Sequence, residues 1–291
     1  MQSFPWPDGK IAAAALTFDL DGETIPYLVD PDSASKRLSL MSEFSYGVNE
    51  GMARILDLLE LYEIRATIFV PGREAELHPD LMREIRSRGH DLESHGYMHE
   101  RPDGLSDELE LKVLEKGIEV LESITGEKPT GYRSPAAEMK PTTPALLAEH
   151  GYRYDSSLMG SDYPYVVPTS HGDLVELPMY WHIDDWPLFG FVSVPPVGNG
   201  ISAPSAAFEL WAESFEEIHR RGALFNVCMH PLLAGRPAGL RLLEKLIRFI
   251  SGFPRVWWAP LSEIDMHCRK PEVMATMVRR EAEIAEPRWI S

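Results

Sequence analysis

The sequence predicts an α/β fold, a parallel barrel of about seven to eight strands, because a helix, a glycine and a strand follow one another five times. The glycines are Gly89, Gly126, Gly151, Gly222 and Gly252. Glycine is favoured just after a helix because it adopts the left-handed backbone conformation without strain. Strands that alternate with helices are typical of a parallel sheet, and 291 residues is a length typical of a barrel built from one.

Each strand is predicted from a short apolar run, and each helix from a longer stretch that ends at or near a glycine. The predicted strands span residues 11–18, 66–70, 90–93, 130–132, 152–154, 175–179, 223–229 and 256–258. The predicted helices span residues 52–62, 83–88, 107–125, 144–150, 206–221 and 240–251.

We expect a single domain over residues 1–291, with the barrel at about 10–265, since no linker or change of composition divides the chain. Two segments do not fit the alternation. Residues 24–48 form a polar and aromatic insertion that we predict to be a lid or rim. Residues 261–291 form a charged tail, predicted to be a peripheral helix or an oligomer contact.

Composition excludes some partners. Hydrophobic residues make up 44% and charged residues 25% of the chain, as in an ordinary globular protein. The net charge of −17 argues against nucleic acid and anionic membranes, which bind clustered Lys and Arg. The first residues lack the basic and apolar regions of a secretion signal, and Cys228 and Cys268 are predicted to be unpaired thiols. A cytoplasmic location is therefore expected.

Ionisable residues follow five of the predicted strands, each time at the carboxyl end. In a barrel of parallel strands, catalytic groups come from these ends and from the loops that follow them. Ionisable residues gathered at one end of the strands would make a poor hydrophobic core, so we predict that they form a functional site. Its members are Asp19, Asp21, His95, Arg133, Asp155 and His230.

Asp19, Asp21, His95 and His99 suggest a metal centre. The two histidines are four residues apart and would reach one ion if the turn between them were helical. A His-x-x-x-His pair is weak by itself, but one aspartate would complete a set of three ligands with an open position, as in a catalytic zinc site. The second aspartate would then be available as a base.

Four short motifs in this order resemble those of the polysaccharide deacetylases, the NodB homology domain family. They are Thr-Phe-Asp-Leu-Asp-Gly at 17–22, Ser-His-Gly-Tyr-Met-His at 94–99, Tyr-Arg-Ser-Pro at 132–135 and Met-His-Pro at 229–231. The family has a distorted (β/α) barrel, and the resemblance covers roughly residues 10–265.

One departure from the family pattern indicates a branch. Most members have adjacent aspartates in the first motif, whereas Leu20 separates them here. This spacing and the segments 154–159 and 184–187 resemble those of a cytoplasmic branch of the family. The branch includes peptidoglycan-deacetylase-like proteins, cyclic imide hydrolases and metal-free allantoinases. The allantoinases lack the second histidine, so the presence of His99 favours a metal.

The resemblance implies a hydrolase of carbon–nitrogen bonds that uses one divalent metal per chain, most consistent with zinc. The implied metal ligands are Asp21, His95 and His99. Asp19 would be the base that activates water, and His230 the acid that protonates the leaving nitrogen.

The resemblance also implies residues that support the base and the acid. Arg133 would keep the base ionised. An aspartate should orient His230, and the candidates are Asp155 and Asp185, with Asp162 a further possibility for the family's fourth motif.

The substrate class stays open at this point. An acetylated sugar polymer would need an open groove with aromatic residues, whereas a small cyclic imide or ureide would need a closed, largely apolar pocket. We favour a small molecule or an amino-sugar precursor, and we predict substrate contacts from Tyr46, Tyr97, Pro135 and Trp186. A homo-oligomer is expected. The alternative is a non-catalytic barrel that binds a carbohydrate or a partner, but that would be expected to have a broken metal triad.

Overall fold

The computed structural model describes residues 4–194, 196–198 and 200–283, and within them nine strands form one sheet. The strands are β1 (Ala12–Asp19), β2 (Thr67–Val70), β3 (Asp91–Ser94), β4 (Gly131–Tyr132), β5 (Tyr154–Asp155), β6 (Tyr165–Thr169), β7 (Gly172–Glu176), β8 (Leu224–Met229) and β9 (Val256–Trp258). Their order is β6-β7-β5-β4-β3-β2-β1-β8, with β9 beside the first residues of β1.

The helices follow the strands in the alternation that the sequence predicts. They are α1 (Thr24–Val29), α2 (Leu38–Phe44), α3 (Met52–Leu61), α4 (Gly72–Leu77), α5 (Pro79–Ser87), α6 (Asp107–Thr125), α7 (Thr143–Glu149), α8 (Trp186–Phe189), α9 (Pro204–Arg221), α10 (Pro231–Ala234), α11 (Pro237–Ser251), α12 (Leu261–Cys268) and α13 (Pro271–Met274). The largest hydrophobic cluster lies where α3, α9 and α11 pack on β1, β2 and β8.

β1 positions the site because it is central and entirely buried. It pairs in parallel with β2 on one side and with β8 on the other. Side chains alternate along a strand, so Leu16 and Phe18 join the cluster under the helices while Thr17 and Asp19 face the opposite side. Parallel pairing brings the carboxyl ends of β1, β2, β3, β4 and β8 to one edge.

Among the described strands, β8 does not pair with the β5–β7 end to close the sheet. Single backbone hydrogen bonds cross this seam, from the Leu224 N–H to the Asp162 carbonyl and from the Asp185 N–H to the Cys228 carbonyl, and side-chain hydrogen bonds add to them. The Asn226 amide of β8 donates to the Ser156 hydroxyl and to the Leu177 and Pro178 carbonyls at 2.9–3.1 Å. The fold is therefore a mixed α/β barrel that is distorted at this seam.

The predicted alternation is confirmed, with two differences. The pair β6–β7 is antiparallel, and β6 is missing from the predicted strands because Pro168 interrupts its apolar run. Gly252 ends its helix with a φ of −76°, so it does not use the left-handed conformation. Arg255, three residues later, adopts a positive φ of 57° instead.

The two segments outside the alternation are both structured. Residues 24–48 contain α1 and α2, and α1 forms a wall of the site described below. The α12 segment of the tail is part of the core, since Leu261 and Ile264 pack with Phe4 and Trp6. The prediction of a peripheral helix is thus wrong for residues 261–268, and residues 284–291 lie outside the described part.

No helix within the described residues combines the length and the apolar character needed to cross a membrane.

Candidate active site

Asp19 is the last residue of β1, and Asp21 lies two residues beyond it. The loop turns at Gly22, whose φ is 51°. A side chain at Gly22 would collide with the Glu74 carboxyl group of α4, since a Cβ there would lie 2.2 Å from Oε2. The glycine therefore allows the loop to sit tightly against α4 and directs both aspartates into the site.

His95 and His99 both face Asp21. The His95 Nε2 atom lies 3.4 Å from Asp21 Oδ1, and the His99 Nε2 atom lies 3.8 Å from Asp21 Oδ2. The turn between the histidines is not helical, so the condition under which their spacing alone would bring them to one ion is not met. Gly96 and His99 adopt positive φ values of 74° and 62°, and this looped backbone brings the two rings to a centroid distance of 4.9 Å.

The donor set fits a divalent metal. One donor atom from each of Asp21, His95 and His99 lies within 4.8 Å of the others, and all three residues are buried. Asp21 Oδ1 is sealed from solvent without a hydrogen-bond partner among the described residues. A buried carboxylate oxygen without a donor is costly unless a cation satisfies it.

The protonation of the histidines also suits ligation. His95 Nδ1 donates to the Arg133 carbonyl at 2.7 Å, which leaves the lone pair of Nε2 directed at Asp21. Burial lowers the pKa of His99 to about 4, although the negative charge of Asp21 opposes this shift. A neutral imidazole is the form that binds a metal.

Asp19 pairs with Arg133. The guanidinium Nη1 lies 2.8 Å from Asp19 Oδ1 and also donates to Thr17 Oγ1 at 2.9 Å. Burial, the largest single influence, would raise the pKa of Asp19, but the charges of Arg133, His95 and His230 and the hydrogen bond from Arg133 together outweigh it and lower the pKa to about 2. The second oxygen, Oδ2, accepts a weak bond from the Cys228 thiol at 3.4 Å. Asp19 is thus held as an anion.

Arg133 itself is fixed on all sides. Its Nε and Nη2 donate to the Ser156 carbonyl and hydroxyl, both at 2.9 Å. Its guanidinium lies 4.3 Å above the Phe69 ring. Arg133 can therefore orient and charge-stabilise Asp19, but it has little freedom to move towards a ligand.

His230 faces Asp21 with Nε2, at 3.6 Å from Oδ2, and Asp185 with Nδ1, at 2.6 Å from Oδ1. The backbone N–H of His230 donates to the same Asp185 carboxylate. Burial would lower the pKa of His230, but the hydrogen bond and charge of Asp185, with Asp184 and Asp21, raise it well above its ordinary value. A protonated imidazole at this position can act as an acid.

Asp155, the other aspartate predicted to orient His230, belongs to a different network. Its carboxylate accepts the backbone N–H and the hydroxyl of Ser157 at 3.0 and 2.8 Å. The Ser157 hydroxyl in turn accepts the Ser134 N–H. Asp162 accepts the Tyr180 hydroxyl. Asp185 is therefore the aspartate that contacts His230.

These groups open into a cavity of about 210 Å³. Its floor is polar and its walls are mostly apolar, with Leu28 and Trp181 half exposed at the rim. The lining residues are Asp19, Asp21, Ile25, Leu28, Val29, His95, His99, Arg133, Ala136, Ala137, Met179, Trp181, Asp184, Trp186, Val197 and His230.

Of the predicted substrate contacts, only Trp186 lines the cavity; its ring centre lies 5.4 Å from that of His230. The Tyr97 hydroxyl instead donates to Glu76, and Pro135 packs against Gly96 behind the wall. The Tyr46 ring lies under the Arg236 guanidinium at 3.8 Å, away from the cavity. Aromatic content by itself does not show which ring faces a ligand.

Sequence reasoning missed Asp184 and the apolar walls. Asp184 is buried beside Asp185, and the adjacent acid pair in the sequence is the signal that could have drawn attention to it. Ala136 and Ala137 carry no such signal. Both adopt a φ of 55°, a strained conformation for a residue with a Cβ, and both line the cavity.

Comparison with known proteins agrees with this geometry. Residues 32–154 match the sequence model of the polysaccharide deacetylase family. A peptidoglycan deacetylase of Helicobacter pylori is 34% identical over 240 residues, which cover 74% of this chain and 82% of that protein.

Solved structures show the same fold. A crystal structure from Mycobacterium smegmatis, assigned to the polysaccharide deacetylases, superimposes with a TM-score of 0.92 at 38% identity over 99% of both chains. The Puue allantoinase superimposes with a TM-score of 0.80 at 23% identity over 92% of this chain and 93% of that one, a likeness of fold alone. From the sequence match and the identity to the bacterial deacetylase over most of both lengths, the chain belongs to the polysaccharide deacetylase family.

Proposed function

We propose that the protein is a metal-dependent hydrolase of non-peptide carbon–nitrogen bonds. It would remove an acetyl group from a small amino sugar or open a small cyclic imide or amide. One observation carries this proposal: Asp21, His95 and His99 converge on one point of a cavity that also contains an ionised Asp19 and a protonated His230.

Asp21, His95 and His99 would hold one divalent ion per chain, with zinc favoured by the two imidazoles. When bound, this ion supplies Lewis-acid activation of water and polarisation of a carbonyl group. Asp21 Oδ1 has no hydrogen-bond partner in the described structure, and a bound cation would satisfy it.

Asp19 would accept a proton from the attacking water. Arg133 holds one carboxylate oxygen, so Oδ2 is the oxygen left for the proton, and its only described donor is the weak Cys228 thiol. The water oxygen bonds to the carbonyl carbon as this proton leaves. His230 then donates its Nε2 proton to the nitrogen, and the C–N bond breaks to give a carboxylic acid and an amine or amide. Asp185 stabilises the charged imidazole before the transfer.

The turn at Ala136 offers a donor for the carbonyl oxygen as it becomes negative. Ala136 lines the cavity, and its backbone N–H has no acceptor in the described part of the chain. Its positive φ is the kind of strain that a functional site retains. An N–H directed at a developing oxyanion contributes to transition-state stabilisation.

The cavity supports a small substrate. Its volume of about 210 Å³ is below the ~300–1,000 Å³ of common ligand pockets. Ile25, Leu28 and Val29 of α1 form one wall, and Trp181 and Trp186 form another. An extended sugar polymer would need an open groove with polar groups for its hydroxyls, so we propose a single ring as the substrate.

The test combines metal analysis with a hydrolysis panel. Purified protein should contain about one divalent ion per chain, and it should hydrolyse at least one of N-acetylglucosamine and its oligomers, succinimide, dihydrouracil and allantoin. His99→Ala should lose the metal and the activity together. Full activity of metal-stripped His99→Ala would contradict the proposal. Metal binding without hydrolysis, with retention of a sugar or a protein partner, would favour the alternative of a non-catalytic binding barrel.

A cytoplasmic location and a homo-oligomeric state remain predictions from the sequence. So does the single domain over residues 1–291, with residues 24–48 as a lid or rim.

A further inference from the structure

Asp184 is the one ionisable residue lining the cavity that the proposed mechanism does not use, among the residues that the structure describes. The other six are Asp19, Asp21, His95, His99, Arg133 and His230. Asp184 is 2% exposed, so its carboxyl group is removed from bulk water. A buried acid in a ligand cavity costs free energy unless donors satisfy both of its oxygens.

Only one of its oxygens is satisfied. Asp184 Oδ1 accepts the backbone N–H of Trp186 at 2.7 Å. Within the described residues Oδ2 accepts no hydrogen bond. It is also not one of the unpartnered side-chain atoms that are fully buried, so it keeps some accessible surface. It is therefore reachable from the cavity, unlike the oxygens of Asp185, which His230 occupies.

Asp184 lies next to His230, the acid of the proposed mechanism. Its Oδ1 lies 3.9 Å from His230 Nδ1, and its backbone pairs with Cys228 of β8, the residue before Met229 and His230. Burial raises the pKa of Asp184 to about 7, although the charge of His230 opposes this shift. Asp184 and the proposed acid His230 therefore line the same cavity, with the open Oδ2 of Asp184 still without a donor among the described residues.

We propose that Asp184 is a specificity-determining residue that accepts an N–H group of the substrate, so that the substrates are secondary amides, imides or ureides rather than N-alkylated ones. This inference rests on the proposed function. The carboxylate form of Asp184 accepts the N–H through Oδ2, in the cavity where His230 protonates the leaving nitrogen. Where the bound N–H is that of the leaving nitrogen, it becomes more acidic as the nitrogen gains the proton, so its hydrogen bond to Asp184 strengthens in the transition state.

The alternative role for Asp184 is structural, as the acceptor for Trp186 at the start of α8. Asp184→Asn separates the two roles. The asparagine carbonyl can still accept the Trp186 N–H, but its amide group presents N–H donors to the cavity where Oδ2 was. Asp162→Asn is the matched control, since Asp162 bonds Tyr180 outside the cavity.

The experiment compares N–H and N-methyl pairs: succinimide with N-methylsuccinimide, and N-acetylglucosamine with its N-methylacetamido counterpart. Binding is measured by calorimetry and hydrolysis by kcat/KM, on metal-loaded protein. Wild type and Asp162→Asn should prefer the N–H compound by at least about tenfold, the value expected for a hydrogen bond to a charged group. Asp184→Asn should lose most of this preference while retaining its metal and its melting temperature.

An unchanged preference in Asp184→Asn would overturn the inference and leave Asp184 a structural residue. Equal binding of both compounds by wild type would overturn it too, whether or not they are hydrolysed. An Asp184→Asn protein that binds succinimide more tightly would show that the residue donates to a carbonyl, also against the inference. Absence of hydrolysis in every sample, with the binding preference intact, would instead refute the proposed function.

Discussion

Buried acids lie at both ends of the sheet, but the partners of their carboxylate groups differ. At the amino ends of the strands, Glu93 accepts the N–H groups of Thr130 and Gly131, each at 2.8 Å. Asp91 accepts the Thr67 hydroxyl and the Ser262 N–H. A cavity of about 250 Å³ lies there as well.

Asp265, at the same end, is paired with two arginines. Arg153 and Arg269 lie 2.9 and 2.8 Å from its carboxylate oxygens. At the carboxyl ends, by contrast, Asp21 Oδ1 has no partner in the described chain and Asp184 Oδ2 faces the cavity. Buried acids alone therefore do not identify a site. An oxygen without a donor does not identify one either, since Glu74 lacks donors on both oxygens and lines none of the described cavities. Asp21 indicates a site because its unpaired oxygen lies in a cavity together with two histidines that could share a metal ion.

The largest expected effect is the loss of the base. Asp19→Asn removes the proton acceptor but keeps the volume of the side chain and the contact with Arg133. We expect turnover to fall by about 10³-fold or more, with the metal content unchanged by elemental analysis. Loss of the metal in this variant would mean that Asp19, not Asp21, is the ligand, and would reverse the roles of the two aspartates.

A smaller loss is expected when the support of His230 is removed. Asp185→Asn should reduce kcat by roughly 10- to 100-fold. Asp185 raises the pKa of His230, so without it the imidazole loses its proton at a lower pH. The activity of the variant should therefore decline on the alkaline side at a lower pH than that of wild type. Coincident alkaline limbs in the two pH–rate profiles would argue that His230 is not the acid.

A substitution at the amino ends of the strands should change the stability of the protein rather than its activity. Asp265→Ala leaves Arg153 and Arg269 without their buried partner, and we expect the free energy of unfolding in urea to fall by about 1–3 kcal/mol. Hydrolysis per folded molecule should stay at the wild-type level. A selective loss of turnover, with stability intact, would show that the amino end also contributes to function and would break the comparison.

The last prediction concerns the pH dependence of stability at Glu74, a buried acid beside Gly22 whose two oxygens lack hydrogen-bond partners in the described structure. Burial, with Glu23 and Asp21, raises the pKa of Glu74 to about 8 from 4.5. A raised pKa makes the folded state bind the proton more tightly than the unfolded state. Stability is then greatest below the unfolded pKa and decreases as the pH rises towards 8.

For this one proton, the free energy of unfolding should fall by at most about 1.4 kcal/mol per pH unit across that window. Metal-free Glu74→Gln should show a flatter dependence in urea unfolding between pH 5 and 8. Glu213→Gln, at an exposed position of α9, is the control and should follow wild type. Parallel curves for wild type and Glu74→Gln would place the pKa of Glu74 near its ordinary value.

The elements and the polar strand ends could be read from the sequence because both depend on local order. An apolar run followed by Asp19, or by His230, marks a buried strand and the point where it leaves the core. Parallel pairing then brings such points together whatever the details of the loops. The helix from Asp107 to Thr125 has the predicted bounds for the same reason, since Ser106 caps it and Gly126 ends it.

The detailed geometry of the site could not be predicted from the sequence. His95 and His99 meet through a looped turn rather than a helix, and this depends on two positive φ values that spacing alone does not indicate. Asp185 rather than Asp155 meets His230 because Asp184 pairs with Cys228 of β8, whereas Asp155 lies on β5. Tyr46 and Tyr97 looked like ligand contacts, but their hydroxyls are held by the protein: Tyr46 donates to a carbonyl, and Tyr97 donates to Glu76.

The sequence by itself determined the α/β alternation, the family, and the residues that gather at the carboxyl ends, because strand order and side-chain chemistry are local properties. Only the tertiary structure decided which oxygens find donors and which do not. That outcome depends on contacts between distant segments, such as α1, the 136–137 turn and the 179–186 loop around one cavity. Satisfaction of buried polar groups is a property of the packed molecule, so strand order and composition do not reveal it.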